Sequence, residues 1–424
     1  MIVACGQMEA TTLSEASRAW PMAERLAAQA RAAQADLLVL PECAYPAYWL
    51  ESVARYMQPD IERSDRVLER FAALSREHRI WIVTGFVEEN EGQLHNSAAV
   101  FDRSGALVGV ARKSFMWDCD NRWFTPGSSL SVFDSEFGRM GVLICADART
   151  PEIVATLATE GAEFIIEPTA WVNAGRWGQN YLNVQADFMI RARAIEFGLA
   201  FACASKSGCE ADKLEYVGQS QVVDADGQVR AKAPIGGEHL ISADISPATA
   251  RLPVLDDVQR DRLLGGKAPM RATGRAGRLS IRCADDAEAI CDAIRRAGGR
   301  VCHLSGNDLR HFAPARCAAL EGAQVLVYDG LSPEEALLRT RAAENRVFAV
   351  AVGVTGVSLL AAPDGSIRWR SSDIGESIEL DLSLADDKHF TPETDLWEQR
   401  RPACFRLPAA AASTRQVSSV CGTV

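Results

Sequence analysis

Three polar residues interrupt apolar runs in a way that could assemble a nucleophile, a base and a positive charge. In GRMGVLICADARTPE, residues 138–152, Val142-Leu143-Ile144 reads as the end of a buried strand and the residues after it as entry into a helix, with Cys145 on the turn. A thiol just ahead of a helix N-terminus has free backbone N–H groups beside it, and the positive dipole end favours thiolate. The same N–H groups, that of Ala146 in particular, could hold an oxyanion. Taken alone, a cysteine in this setting is more often a buried structural thiol. Two further runs alter that reading: ADLLVLPECAYP sets Glu42 behind four aliphatics and a proline, and GALVGVARKSFMW sets Lys113 behind another apolar run. The C-terminal ends of strands are where sites assemble in α/β sheets, so residues distant in number can converge.

A thiolate that attacks an amide or nitrile carbon forms an acyl-thioester and splits one hard hydrolysis into two easier steps. A desolvated carboxylate has a raised pKa, so Glu42 can take the thiol proton, pass it to the leaving amine and activate water. Lys113 supplies charge where the oxyanion develops. A buried Lys–Glu–Cys cluster of this kind titrates as a unit.

The ordered set of motifs around these residues resembles the nitrilase superfamily of carbon–nitrogen hydrolases. The resemblance runs over 1–262: an opening strand with Gln7, LPE at Glu42, HNSAAVFDRSGALVGVARK leading to Lys113, WFTPG ending at Gly127, CADARTPE, GAEFIIEPTAW, RARAIEFGLAFACAS and SQVVDADGQV. It implies an αββα sandwich, with Glu42 as general base, Lys113 stabilising the tetrahedral intermediate and Cys145 as nucleophile. Asp120 stands where many members carry Glu before the aromatic–Thr–Pro–Gly segment. Being one methylene shorter, it needs either a closer loop or a bridging water, and its implied role is to orient Lys113 or the substrate. Ala146 replaces the Tyr of many amidases and carbamoylases and the Trp of true nitrilases, while Asp147 and Arg149 keep the amidase-like CxDxR pattern. The resemblance therefore implies hydrolysis of an amide or N-carbamoyl compound, releasing ammonia or an amine, ahead of nitrile hydrolysis. A non-catalytic binding module and an acyl-transferring protein are the alternatives. Arg149 fits either a substrate-carboxylate contact or a helix-turn cap. Trp117, Trp123 and Trp171 fit either an acyl pocket or the core.

The elements that must position these residues alternate. Strands are expected at 3–7, 37–40, 80–84, 96–102, 106–113, 140–144, 163–168, 200–204, 220–224 and 228–232, with helices at 14–35, 64–78, 152–160 and 185–197 and a tight turn at 89–93. Such alternation with hairpins predicts a two-layer α/β sandwich of mixed pairing. His95, in LHNSAAVF, is expected to make a local structural hydrogen bond.

Composition suits an enzyme of more than one domain: 424 residues, 48% hydrophobic, 24% charged. The net charge of −11 argues against a nucleic-acid surface. No apolar run is long enough to span a membrane, and Met1-Ile2-Val3 already reads as strand, so a cytoplasmic protein is expected. The 12 cysteines show no CxxC and no zinc spacing, which predicts reduced thiols, no metal and no cofactor.

From residue 263 the chain turns into GGKAPMRATGRAGR, read as a linker over 263–277. Beyond it the sequence repeats itself. GRVCHLSGNDLR at 299–310 aligns with 138–149 and EGAQVLVYDGL at 321–331 with 160–170, while 339–353 and 358–372 match later segments of the first half. Gly306 stands at the position of Cys145, although Asp308 and Arg310 match Asp147 and Arg149. The expected organisation is a catalytic domain over 1–262, the linker, a degenerate and truncated α/β copy over 278–405, and a flexible tail over 406–424. The copy is expected to be catalytically dead and to act as a pseudo-partner, a pseudo-dimer within one chain that leaves further homo-oligomerisation open. The expected substrate is a small amide, carbamoyl compound or nitrile.

Overall fold

The computed structural model describes residues 1–265, 278–330, 334–373 and 375–409. The chain divides into two compact units, the first being Met1–Arg251 together with Cys404–Arg406 and the second beginning at Leu252. Strands of the first unit are Ile2–Glu9 (β1), Leu37–Val39 (β2), Trp81–Asn90 (β3), Gln93–Phe101 (β4), Leu107–Arg112 (β5), Ser131–Ser135 (β6) and Gly138–Val142 (β7). They continue with Phe164–Pro168 (β8), Ala200–Ala204 (β9), Lys206–Glu210 (β10), Leu214–Val217 (β11), Gln221–Val223 (β12), Val229–Lys232 (β13) and His239–Asp244 (β14).

One sheet runs β11-β10-β1-β2-β3-β4-β5, with β14 also paired to β1, and the other runs β13-β12-β9-β8-β7-β6. The central strands β1, β2 and β3 are mutually parallel, as are β7, β8 and β9. Every residue of β8 and β9 is buried, as parallel strands covered on both faces must be. Strands β1 and β3 of the first sheet lie against β9 and β8 of the second. Helices Ala19–Ala32 (α1) and Ser64–His78 (α2) pack on the first sheet, and Pro151–Thr159 (α3) and Ile190–Phe197 (α4) on the second. The result is the αββα sandwich. No helix among the described residues is long and apolar enough to cross a membrane.

Local differences from the sequence reading have local causes. The helix expected from residue 14 opens as a 3-10 segment, Leu13–Arg18, and becomes α-helical only at Ala19. Pro21 lacks an N–H and fits only within a first helical turn. The expected 185–197 helix starts as a π turn, Gln185–Met189, before α4. Strands β6, β10, β11 and β14 lie outside the strands expected. The β3–β4 hairpin closes as expected, through Glu91 and Gly92, both with positive φ (50° and 76°).

In the second unit a helix, Asp257–Leu264 (α5), begins before the expected boundary, so residues 252–262 group with this unit. The expected linker lies outside the described residues from 266 onward, and the expected tail from 410 onward. Strand Arg278–Arg282 (β15) is followed by helix Ala287–Arg296 (α6), strand Val301–Ser305 (β16), helix Phe312–Leu320 (α7) and strand Val325–Asp329 (β17). Helix Glu335–Asn345 (α8) and strands Phe348–Gly353 (β18), Gly356–Ala361 (β19) and Ile367–Arg370 (β20) follow. The sheet β16-β17-β18-β19-β20 has two parallel pairings followed by two antiparallel ones, the pattern of β7-β8-β9-β12-β13. A 3-10 turn follows both β7 and β16, at Cys145–Arg149 and Gly306–Arg310.

One glycine bears directly on the position of Glu42. A Cβ at Gly85, in β3, would stand 2.5 Å from Glu42 Cα and from the Pro41 carbonyl oxygen. Gly85→Ala is therefore expected to lower the unfolding free energy by about 1–3 kcal/mol, measured by urea denaturation.

Candidate active site

The site begins with a strand end tied to both sheets. Gly85 N donates to the Pro41 carbonyl (3.0 Å), and Glu42 N donates to the carbonyl of Thr169, just past β8 (3.3 Å). Lys113 follows β5, its N–H donating to the Asn96 carbonyl (2.8 Å). The two side chains meet: Lys113 Nζ lies 2.7 Å from Glu42 Oε1 and 2.5 Å from Asp120 Oδ2, with all three residues buried. Asp120 thus reaches Lys113 directly, and its loop supplies the missing methylene. A short helix, Asp120–Trp123, starts at it, and the Trp117 N–H donates to its Oδ2 (2.8 Å).

Asn96 Nδ2 joins the two carboxylates, donating to Glu42 Oε1 (2.7 Å) and Asp120 Oδ1 (3.2 Å). Glu42 Oε2 is buried and makes no hydrogen bond. Burial pushes the Glu42 carboxyl above its usual range, against the Lys113 ammonium and with the help of the Asp120 charge. Burial acts to lower the Lys113 ammonium, but the Asp120 and Glu42 carboxylates hold it well above the ordinary lysine value. The paired carboxylates thus favour the charged form of Lys113, and one Glu42 oxygen stays uncommitted.

Cys145 comes from the other sheet. It is buried, opens the 3-10 turn after β7 and holds φ at +48°, a left-handed conformation that costs a non-glycine residue of order 1–3 kcal/mol. Asp147 braces the turn: its Oδ2 accepts from Ile144 N (3.0 Å) and its Oδ1 from Ser114 N (3.0 Å) and Phe115 N (2.7 Å), just beyond Lys113. Burial pushes the Cys145 thiol up, the Glu42 charge adds to this, and Lys113 opposes it. Desolvation thus opposes the thiolate that the helix dipole favours.

Arg149 is also buried, and it bridges. Its Nε donates to Gln185 Oε1 (3.2 Å), and its guanidinium lies 4.1 Å from the centre of the Trp117 ring. Trp171 is fully buried, its backbone N–H donating to Ser205 Oγ (3.2 Å), and Trp123 packs edge-on against Trp49 at 5.0 Å. His95 makes its local bond, Nδ1 to the Thr125 carbonyl at 2.7 Å. The sequence reading gave no role to Asn96, Glu167 or Gln185. For Asn96 the signal was present: His95-Asn96-Ser97 puts three polar residues into a strand buried from Leu94 to Phe101.

A family model described as carbon-nitrogen hydrolase matches residues 2–252. A probable nitrilase of Schizosaccharomyces pombe is 30% identical over 159 residues, which is 37% of this chain and 56% of that protein. An omega-amidase, NIT2-B, of Xenopus laevis is 31% identical over 226 residues, 50% of this chain and 76% of that protein. Among solved structures, an amidase from Nesterenkonia sp. superposes with a TM-score of 0.53 at 23% identity, covering 59% of this chain and 91% of that one. A mutant of the Nesterenkonia amidase has acrylamide added at its active-site cysteine.

Asp147 offers a test of the brace. Burial pushes its carboxyl up to about 6 from 3.8, despite the three N–H donors. Its folded value exceeds its unfolded one, so its contribution to stability is fullest below about pH 4 and is lost as pH rises through 6. Between pH 4 and 7 the stability difference between wild type and Asp147→Asn should shift toward the variant by about 2 kcal/mol, read from urea denaturation at each pH.

Proposed function

We propose, from the premise that this chain belongs to the carbon–nitrogen hydrolase family, that it hydrolyses the amide C–N bond of a small molecule through a thioester on Cys145. The observation that carries this reading is the state of Glu42: Oε1 is fixed by Lys113 and Asn96, while Oε2 is buried and unbonded. A carboxylate oxygen left bare in a desolvated site is a base awaiting a proton.

In the first half-reaction Glu42 takes the Cys145 proton, sulfur bonds to the amide carbon, and the carbonyl oxygen becomes an oxyanion facing the Lys113 ammonium and the Ala146 N–H. Glu42 then gives its proton to the nitrogen, the C–N bond breaks, and ammonia or an amine leaves. In the second, Glu42 takes a proton from water as its oxygen bonds to the acyl carbon. The C–S bond breaks, a carboxylic acid leaves, and the proton returns to sulfur. Asp120 supports this by pairing with the Lys113 ammonium at 2.5 Å and keeping its charge in place.

An amide or N-carbamoyl substrate is favoured over a nitrile by the CxDxR pattern of Cys145, Asp147 and Arg149 and by the amidases among the similar proteins. Arg149 already bonds Gln185 and covers Trp117, which suits a wall of the site better than a free carboxylate clamp.

The second unit is read as a degenerate, non-catalytic copy. Supporting this are its strand pattern and two matching bond sets. Ser305 N donates to Asp308 Oδ2 (3.0 Å) as Ile144 N does to Asp147. Arg341 Nε donates to the Leu309 carbonyl (3.2 Å) and pairs with Glu344, as Arg193 Nε donates to the Ala148 carbonyl (3.0 Å) and pairs with Glu196.

The test is a panel of butyramide, succinamate, N-carbamoyl-β-alanine and butyronitrile, followed by ammonia release and intact-mass detection of an acyl adduct. Amide or carbamoyl turnover is expected to exceed nitrile turnover. Cys145→Ala should fall to background, and Glu42→Gln should lose about 10²–10⁴-fold in kcat. Because Cys209 is exposed and Cys283 and Cys302 are partly exposed, iodoacetamide labelling is read by peptide mass at each cysteine in a Cys209→Ser background, where Cys145 is the expected main target. Wild-type turnover by Cys145→Ala removes the nucleophile assignment.

A further inference from the structure

Behind the nucleophile lies a carboxyl group that the reaction above does not use. Glu167, on β8, is fully buried, and among the described residues no cation pairs with it. Its Oε1 accepts from Gln185 Nε2 at 3.1 Å, and its Oε2 lies 3.3 Å from Cys203 Sγ. The other hydrogen of Gln185 Nε2 goes to the Cys145 carbonyl at 2.7 Å, and Gln185 Oε1 accepts from Arg149 Nε at 3.2 Å. Both hydrogens and the oxygen of that amide are therefore matched to their neighbours. Turning it over would set its oxygen against both a carbonyl and a carboxyl oxygen.

We propose that Glu167 and Gln185 are positioning residues that aim the Ala146 N–H at the oxyanion. This deepens the reading of Cys145 as nucleophile and rests on it. The peptide linking Cys145 to Ala146 is planar and trans, so its C=O and N–H point in opposite directions. Fixing the Cys145 carbonyl from one side fixes the Ala146 N–H on the other. Ala146 lies in the first turn of a helical segment, where an N–H has no acceptor within the helix and is free for a ligand. Cys145 is in the left-handed region, a conformation that persists only where its surroundings hold it. Gln185 is itself held, opening the π turn Gln185–Met189 with its N–H donated to Asn183 Oδ1 (2.9 Å).

A neutral Glu167 suits this role. Burial without a cation pushes its carboxyl well above the usual range, with the Cys203 thiol opposing. A neutral acid offers Gln185 a carbonyl oxygen and adds no negative charge behind a site that must stabilise one. Glutamine offers the same acceptor, whereas leucine offers none.

The experiment measures kcat and KM for butyramide, and separately the rate at which iodoacetamide alkylates Cys145, in Glu167→Gln, Glu167→Leu and Gln185→Leu, all carrying Cys209→Ser. Alkylation displaces iodide without forming an oxyanion, so it reports the nucleophile alone. Glu167→Gln should stay within about threefold of wild type, while either leucine variant should lose about 10- to 100-fold in kcat with KM and alkylation rate little changed. Gln185→Leu carries the test if Glu167→Leu does not fold. Wild-type kcat in the leucine variants, alkylation that falls in step with kcat, or an inactive Glu167→Gln each overturns the proposal. Butyramide turnover by Cys145→Ala would strike the nucleophile assignment beneath it instead.

Discussion

A lysine ammonium buried between two carboxylates is the constraint around which the first unit is built. Lys113, Glu42 and Asp120 carry three ionisable groups into a site closed to solvent. Removing one partner from such a cluster leaves an uncompensated charge and costs about 3–5 kcal/mol, so the elements that deliver them are not independent. Glu42 arrives behind β2 and Lys113 behind β5, two strands at different places in one sheet. Asn96, from β4, spans the gap by donating to both carboxylates. Gly85 lets β3 approach the Pro41–Glu42 backbone closely enough to close the arrangement.

The other sheet contributes what the first lacks. Cys145 stands on a left-handed turn behind β7, and the turn is tied to the segment after Lys113 by a single carboxylate, Asp147. Thr169, beyond β8, accepts from the Glu42 backbone. Glu42 and Cys145 are therefore held by bonds that cross between sheets, and their approach depends on how the sheets pack. Burial also bears on the proposed chemistry: it raises the thiol and the carboxyl together, which suits the transfer of a proton between them.

In the second unit the bonds that recur are those that shape the turn: Asp308 on Ser305 N, and the Arg341–Glu344 pair on the Leu309 carbonyl. In the sequence alignment of the two segments Gly306 stands opposite Cys145. Bonds of this kind fix the backbone of a turn and do not depend on a thiol beside them, which is consistent with the proposed reading of the second unit as a non-catalytic copy.

The sequence by itself determined the alternation of buried strands and helices, the hairpin at Glu91-Gly92 and the position of Glu42, Lys113 and Cys145 at strand ends. Each of these is a local matter of apolar period, turn residues and the breaking of a run by one polar side chain. Tertiary structure alone decided the rest. Strand β10 was hidden because its buried residues include Lys206 and Glu210, which pair with each other at 3.0 Å, and Glu210 also accepts from Tyr216 on β11 (3.0 Å). A polar run can enter a core only when its groups find partners, and one of these comes from far along the chain: the Trp49 backbone N–H donates to Glu210 Oε1 at 2.5 Å. Strand β14 was hidden because it is half exposed, and its pairing with β1 joins residues more than two hundred positions apart. The same limit applies to Asn96, Glu167 and Gln185. Their residue types were visible, but a buried amide or carboxyl takes its role from the groups that satisfy it, and those converge only when the two sheets close.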